Sequence, residues 1–136
     1  MHRIKLATML AFFTLTIVVT AMLAPLFRRE APPTRGDFDS ACKTIFDAGG
    51  IIDASDSVML VHLARCSVSD GVLVAIRDID PVERVDLANT GITNDQLQFL
   101  RYLRADEIDL TGNLLDLSAI DDLRRYLEPD CEIKHD

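Results

Sequence analysis

The side chains able to do chemistry in this chain are mostly carboxylates, and they recur. His62, Asp86, Asp109 and Glu132 follow one another at intervals of 24, 23 and 23 residues. Arg84, Glu107 and Asp130 sit two residues before the last three of them. Set on adjacent strands, the first group would form a row with about 5 Å between neighbours. Three carboxylates that close repel one another, which raises at least one pKa or recruits a cation. A basic peptide or protein would answer the same need. The row lacks a pocket and orienting partners, so it is a poor metal or catalytic centre. No metal and no cofactor is expected.

Other reactive groups are scattered. Cys42, Cys66 and Cys131 are odd in number and widely spaced, with no C-x-x-C. They give neither a disulfide framework nor a zinc or redox site. G-x-S-x-G, a phosphate loop and H-E-x-x-H are all missing from the sequence, so the common hydrolase, nucleotide and metalloprotease signatures are without support. The chain reads as a binding protein and not an enzyme; a cation-dependent surface enzyme is the weakest alternative.

Charge is unevenly distributed. All 22 acidic residues lie at or after Glu30, against ten basic ones in the same stretch. A domain this acidic repels nucleic acid and anionic lipid and attracts a basic partner. Upstream, Leu6–Ala24 holds no charged residue. As a helix its 19 residues would be about 28 Å long, close to the bilayer hydrocarbon thickness. Residues 1–29 are therefore expected to be a transmembrane anchor. A cleaved signal peptide, cut after Val19-Thr20-Ala21, is the alternative and would make the protein secreted. Arg3, Lys5 and the N-terminal amine favour an inside N-terminus, which places the acidic domain outside the cytoplasm. Residues 30–36, with Pro32-Pro33, read as a short stiff linker, and the folded domain, 37–136, begins near Asp37.

The elements that must position the acidic residues are marked by internal repetition. Val61–Asp70, Val85–Asn94 and Ile108–Leu117 align without gaps. Another 23 residues brings Cys131-Glu132-Ile133, the start of a fourth strand. Val58, Val82 and Ala105 form one column; Leu73, Leu97 and Ile120 another; Ile76, Leu100 and Leu123 a third. Each unit offers a strand with alternating apolar residues, such as Val85 and Leu87. A return segment with apolar spacing of three and four follows, as a one-sided helix needs. The return segments are Asp70–Ile79, Thr93–Leu103 and Leu117–Leu127, with Ser69 and Thr93 as N-caps. Residues 37–57 read as a cap: a helix over Asp37–Ala48 with Ala41, Ile45 and Phe46 on one face, a Gly49-Gly50 stop, and a hairpin turn at 53–57.

The units resemble the leucine-rich repeat, whose pattern is L-x-x-L-x-L-x-x-N/C/T-x-L. It stands here as Val82-x-x-Val85-x-Leu87-x-x-Thr90-x-Ile92 and Ala105-x-x-Ile108-x-Leu110-x-x-Asn113-x-Leu115. The resemblance covers residues 58–133. It implies an α/β fold: a short solenoid with parallel strands on one side and helices on the other, behind the helix/hairpin cap. It also implies that Cys66, Thr90 and Asn113 hydrogen-bond the turn backbones of neighbouring units. The exposed strand residues would line a concave face in rows. His62, Asp86, Asp109 and Glu132 form one row, Leu60, Arg84, Glu107 and Asp130 a second, and Ala64, Ala88, Thr111 and Lys134 a third. The expected function is membrane-tethered recognition or scaffolding of a protein with a basic surface, through this acidic face. The alternative is an accessory subunit docking through its helical face. Carbonate washing of membranes should leave the full chain in the pellet; its release into the soluble fraction would count against an uncleaved span.

Overall fold

Asp37 starts the first element. Its carboxylate accepts from the Ser40 amide at 3.4 Å at the head of α1 (Phe38–Asp47), the capping role that short acidic side chains favour. The computed structural model describes residues 36–55, 58–79 and 81–136; the expected anchor Leu6–Ala24 and the linker up to residue 35 lie outside them. Ala41 and Ile45 of α1 are buried, whereas Phe46, expected beside them, is 54% exposed. One residue along a helix is a turn of about 100°, enough to carry it off the inner face. The helix stops at Gly49, whose φ is 87°, and the Gly49 and Gly50 amides donate back to the Phe46 and Ile45 carbonyls. At Gly50 the constraint is proximity: a Cβ there would meet Leu63 Cδ2 at 2.6 Å and Ile45 Cγ2 at 2.7 Å.

The fold is α/β, with a five-stranded, mostly parallel sheet. β1 (Ile51–Ser55) and β2 (Val58–His62) form an antiparallel hairpin in which Ile51 faces His62. β3 (Val82–Asp86), β4 (Ala105–Asp109) and β5 (Glu132–Lys134) follow in parallel, so that spatial order equals sequence order. Parallel neighbours need crossovers. These are α2 (Asp70–Asp78), a 3-10 helix (Asn94–Leu100) and α3 (Leu117–Arg124). Each helical segment touches the next, from α1 through α2 and the 3-10 helix to α3. One core lies between helices and sheet. Val61, Val85, Ile108 and Ile133 enter it from the strands, with Leu63, Leu87 and Leu110 just beyond the strand ends. The columns Leu73/Leu97/Ile120 and Ile76/Leu100/Leu123 enter from the helices. Each such side chain contributes on the order of 2 kcal/mol by leaving water.

Consecutive turns after the strands are alike. Arg65, Asn89 and Gly112 occupy equivalent places with φ of 62°, 54° and 71°. The Leu63 amide donates to the Asp86 carbonyl, and the Leu87 amide to the Asp109 carbonyl, both at 2.9 Å. Asn113 locks two of these turns together. Its amide is buried, and its nitrogen donates to the carbonyls of Leu87 (2.9 Å) and Leu110 (2.8 Å). Its oxygen accepts from the backbone amides of Thr90 (3.1 Å) and Gly91 (2.8 Å). Both donors and both acceptor sites of the side chain are thereby satisfied. Thr90, one turn earlier, donates its hydroxyl to the Leu87 carbonyl at 2.8 Å, and Cys66 Sγ lies 3.5 Å from the Gly49 carbonyl.

Three further local expectations differ from the structure. The hairpin turn expected at 53–57 is shorter, because Asp53, Ala54 and Ser55 continue β1 and pair with Leu60, Met59 and Val58. The return segment expected as a helix over Thr93–Leu103 is a seven-residue 3-10 helix, where α2 has nine residues. Seven residues at about 2.0 Å cover the same 14 Å or so as nine at about 1.5 Å, which suits the shorter unit. Its buried Leu97 and Leu100 are three apart, the spacing that a three-residue turn aligns. The last strand is also displaced. Ile108 pairs with Ile133 and Asp109 with Lys134, two residues beyond the expected register. The added length sits in a turn whose Cys131 amide donates to the Glu128 carbonyl at 3.0 Å, with Pro129 at its second position. Among the described residues no helix is long and apolar enough to cross a membrane. Asn113→Ala should cost about 2–4 kcal/mol in urea denaturation, from the amides and carbonyl left unpaired. The adjacent Leu114→Ala, where the side chain is 99% exposed, should stay within about 0.5 kcal/mol.

Candidate functional site

The strands present two rows of side chains on the face away from the core. Pairing aligns His62, Asp86, Asp109 and Lys134 in one row, and Leu60, Arg84, Glu107 and Glu132 in the other. β1 extends them by Ile51 beside His62 and Asp53 beside Leu60. Glu132 therefore leaves the row expected for it and stands next to Glu107, while Lys134 takes its place beside Asp109. Asp130 is on no strand; it lies exposed in the turn before β5. The cause is the two-residue displacement of β5. Side chains alternate with a period of two, so the slide keeps every residue on its face but exchanges its neighbours.

The exchange changes the electrostatics. Three carboxylates were expected in one row; instead the rows are laced by cations. Arg84 reaches Glu107 (Nε to Oε1, 3.0 Å) and Asp109 (Nη2 to Oδ2, 3.6 Å), and Lys134 Nζ reaches Glu107 Oε2 at 2.9 Å. The Arg84 Nε and Glu107 Oε1 atoms are buried and, although in ionic contact, are not aligned as a hydrogen bond. His62 Nδ1 stands 3.9 Å from Asp86 Oδ2.

The two row aspartates also hold their own turns. The Ala88 amide donates to Asp86 Oδ1 at 3.1 Å, and the Thr111 amide to Asp109 Oδ1 at 3.0 Å. Both are local side-chain turns closed two residues on, which aspartate favours. The Thr111 hydroxyl adds a second bond to Asp109 at 2.7 Å. Burial works to raise the Asp109 pKa. The Thr111 hydrogen bonds outweigh it, with Arg84 and Lys134 nearby, and hold the carboxyl below its ordinary value.

Among the described residues no group of histidine, cysteine and carboxylate side chains could hold a metal ion. The face is open, with a shallow concavity of about 410 Å³ beside Arg84, Glu107 and Glu132. Cys42, Cys66 and Cys131 are free and half-buried. Burial, with Asp106 beside it, pushes the Cys131 thiol up to about 11, so little of it is the nucleophilic thiolate at neutral pH. The face thus carries fixed charges and hydrogen-bonding groups on an open surface. Lys134 had been assigned to a different row from the acids it joins, and Thr111 to the third row. Thr111 stands two residues after Asp109, a spacing that allows their local contact, whereas only the paired register brings Lys134 to Glu107.

Comparison of the chain with protein-family models, with curated proteins and with solved structures gives no match.

Asp109 has a folded-state pKa below its unfolded one. It therefore stabilises the fold above the ordinary value of 3.8, and that contribution is lost as pH falls through the folded-state value. The melting temperature of Asp109→Asn should accordingly lie furthest below that of the wild type at neutral pH. The gap should close as the pH is taken well below 3.8; a gap that stays constant from pH 7 to pH 2.5, on the order of the range where carboxylates protonate, would remove the charge from the account.

Proposed function

We propose that the chain is a short leucine-rich-repeat module, tethered to a membrane through Leu6–Ala24, that recognises a protein partner with a basic surface through the open face of its sheet. Support for the repeat assignment comes from the parallel strands in sequence order, the equivalent turns at Arg65, Asn89 and Gly112, and the buried Asn113 amide that ties neighbouring turns. Stacked units of this kind bury a shared core and leave an extended face for binding. The tether rests on the uncharged length of Leu6–Ala24.

The observation that carries the binding role is the uncovered double row. Side chains of His62, Arg84 and Lys134, on β2, β3 and the edge strand β5, are 42%, 39% and 40% exposed. Their ion pairs make the face a patterned surface and not a uniformly negative one. A partner would match alternating charges, which favours selectivity over raw attraction. Docking through the helical side is the second reading, favoured by Phe38 and Phe46 of α1, which are 44% and 54% exposed.

The two readings separate by position. A photo-crosslinking amino acid in place of His62 in the full chain, in its native membranes, should give one discrete adduct. The same group in place of Phe46 or Gln98 should give none. An adduct only from Phe46 or Gln98 would assign recognition to the helical side.

A further inference from the structure

β5 ends the sheet with one side unpaired. Its three residues are Glu132-Ile133-Lys134, an acid, an apolar residue and a base. Laid antiparallel against a second copy of itself, this order is its own complement. A two-fold axis between the two Ile133 residues sets Glu132 of each copy opposite Lys134 of the other. The backbone agrees with that axis. The Lys134 carbonyl accepts from the Leu110 amide at 2.8 Å and so points to β4. Peptide groups alternate sides along a strand, so those of Ile133 point to the free edge. Opposed across the axis, the two Ile133 residues would exchange both amide–carbonyl bonds, as a hydrogen-bonded antiparallel pair does.

We infer that two copies of this chain pair through β5, antiparallel about Ile133, and join their sheets into one. The inference goes beyond the recognition reading and does not rest on it. Side-chain charge supports it first. Glu132 stands beside Glu107 in its own chain, and the second copy's Lys134 would answer that like-charged pair. Charged residues on an edge strand ordinarily discourage pairing with other chains; here they favour the one strand that offers them in reverse order. Each copy is acidic overall, but at about 0.15 M salt charges further apart than about 8 Å are largely screened, so the facing pairs outweigh the distant excess. Packing supports it next. Leu127 and Ile133, both 9% exposed, are the least covered side chains of the core. Residues directly opposite on antiparallel strands share a face, so the second copy's Ile133 would cover this thin end. The opposite edge does not offer the same fit. β1 carries one charged residue, Asp53 at its centre, which a two-fold pairing would set against itself. β5 on β1 of another copy would make at most one ion pair. It would also leave a free edge at each end, giving an open chain of copies and not a closed pair.

The test is sedimentation equilibrium of the full chain in nonionic detergent. The wild type should show a reversible monomer–dimer equilibrium. Glu132→Lys and Lys134→Glu should each weaken it at least tenfold, although they change the net charge in opposite directions. Mixed together, the two variants should form a heterodimer within threefold of wild-type affinity, because every facing pair is then opposite in charge. That rescue also shows that both variants fold. Asp53→Lys, at the other edge, should stay within twofold. A wild type that remains monomeric up to on the order of 0.1 mM would overturn the inference. So would a dimer that survives both single variants, which would place association elsewhere in the chain, or a mixture that stays monomeric while each variant keeps the wild-type circular dichroism. Weakening by Asp53→Lys, or open polymers in place of dimers, would assign the contact to β1 on β5 and overturn it equally.

Discussion

A single buried amide ties two successive turns of the sheet together. Asn113 donates to carbonyls of two successive turns and accepts from the amides of Thr90 and Gly91. Those backbone groups point into the space between units, where no strand or helix partner reaches them. An unpaired polar group there would cost about 1–3 kcal/mol. The side chain meets the need with a donor pair and an acceptor set at one point, which neither aspartate nor leucine of the same size can do. Thr90 and Cys66 stand in the same column with fewer bonds. The column grades from a thiol contact near the cap to a fully satisfied amide at the third turn.

The open face shows how a strongly acidic domain tolerates a row of carboxylates. Asp86 and Asp109 each accept an amide of their own turn, so they are anchored before any partner is considered. Arg84 and Lys134 sit between the acidic side chains of the middle strands. Glu83, Asp106 and Asp130 stand at the strand starts, where Arg104 is among them.

Much of this was legible in the residues. The columns of Leu73, Leu97 and Ile120 and of Ile76, Leu100 and Leu123 fall in the core as their spacing required. Gly49-Gly50 ends α1, and the antiparallel hairpin follows it. The row of His62, Asp86 and Asp109 is aligned across three strands. Phe46 falls off the buried face because a neighbour of a buried residue on a helix need not share its face. Apolar spacing of three fits both helical periods, so Leu97 and Leu100 by themselves do not separate a 3-10 segment from an α-helix.

What the sequence by itself determined was the set of inward columns, the order of strand and return, and the outward face on which His62, Arg84, Asp86, Glu107 and Asp109 stand. Those follow from hydrophobic spacing, which fixes the face of each strand residue but not its register. What tertiary structure decided was which outward residues become neighbours across β4 and β5. Alternation repeats every two residues, so a slide of two costs nothing in face pattern. The choice fell to packing: Ile133, at 9% exposure, fills the inner column, and the smaller Cys131 stays half-buried outside it. That preference for the larger aliphatic side chain put Lys134, not Glu132, beside Asp109, and changed an expected stack of negative charge into a paired one.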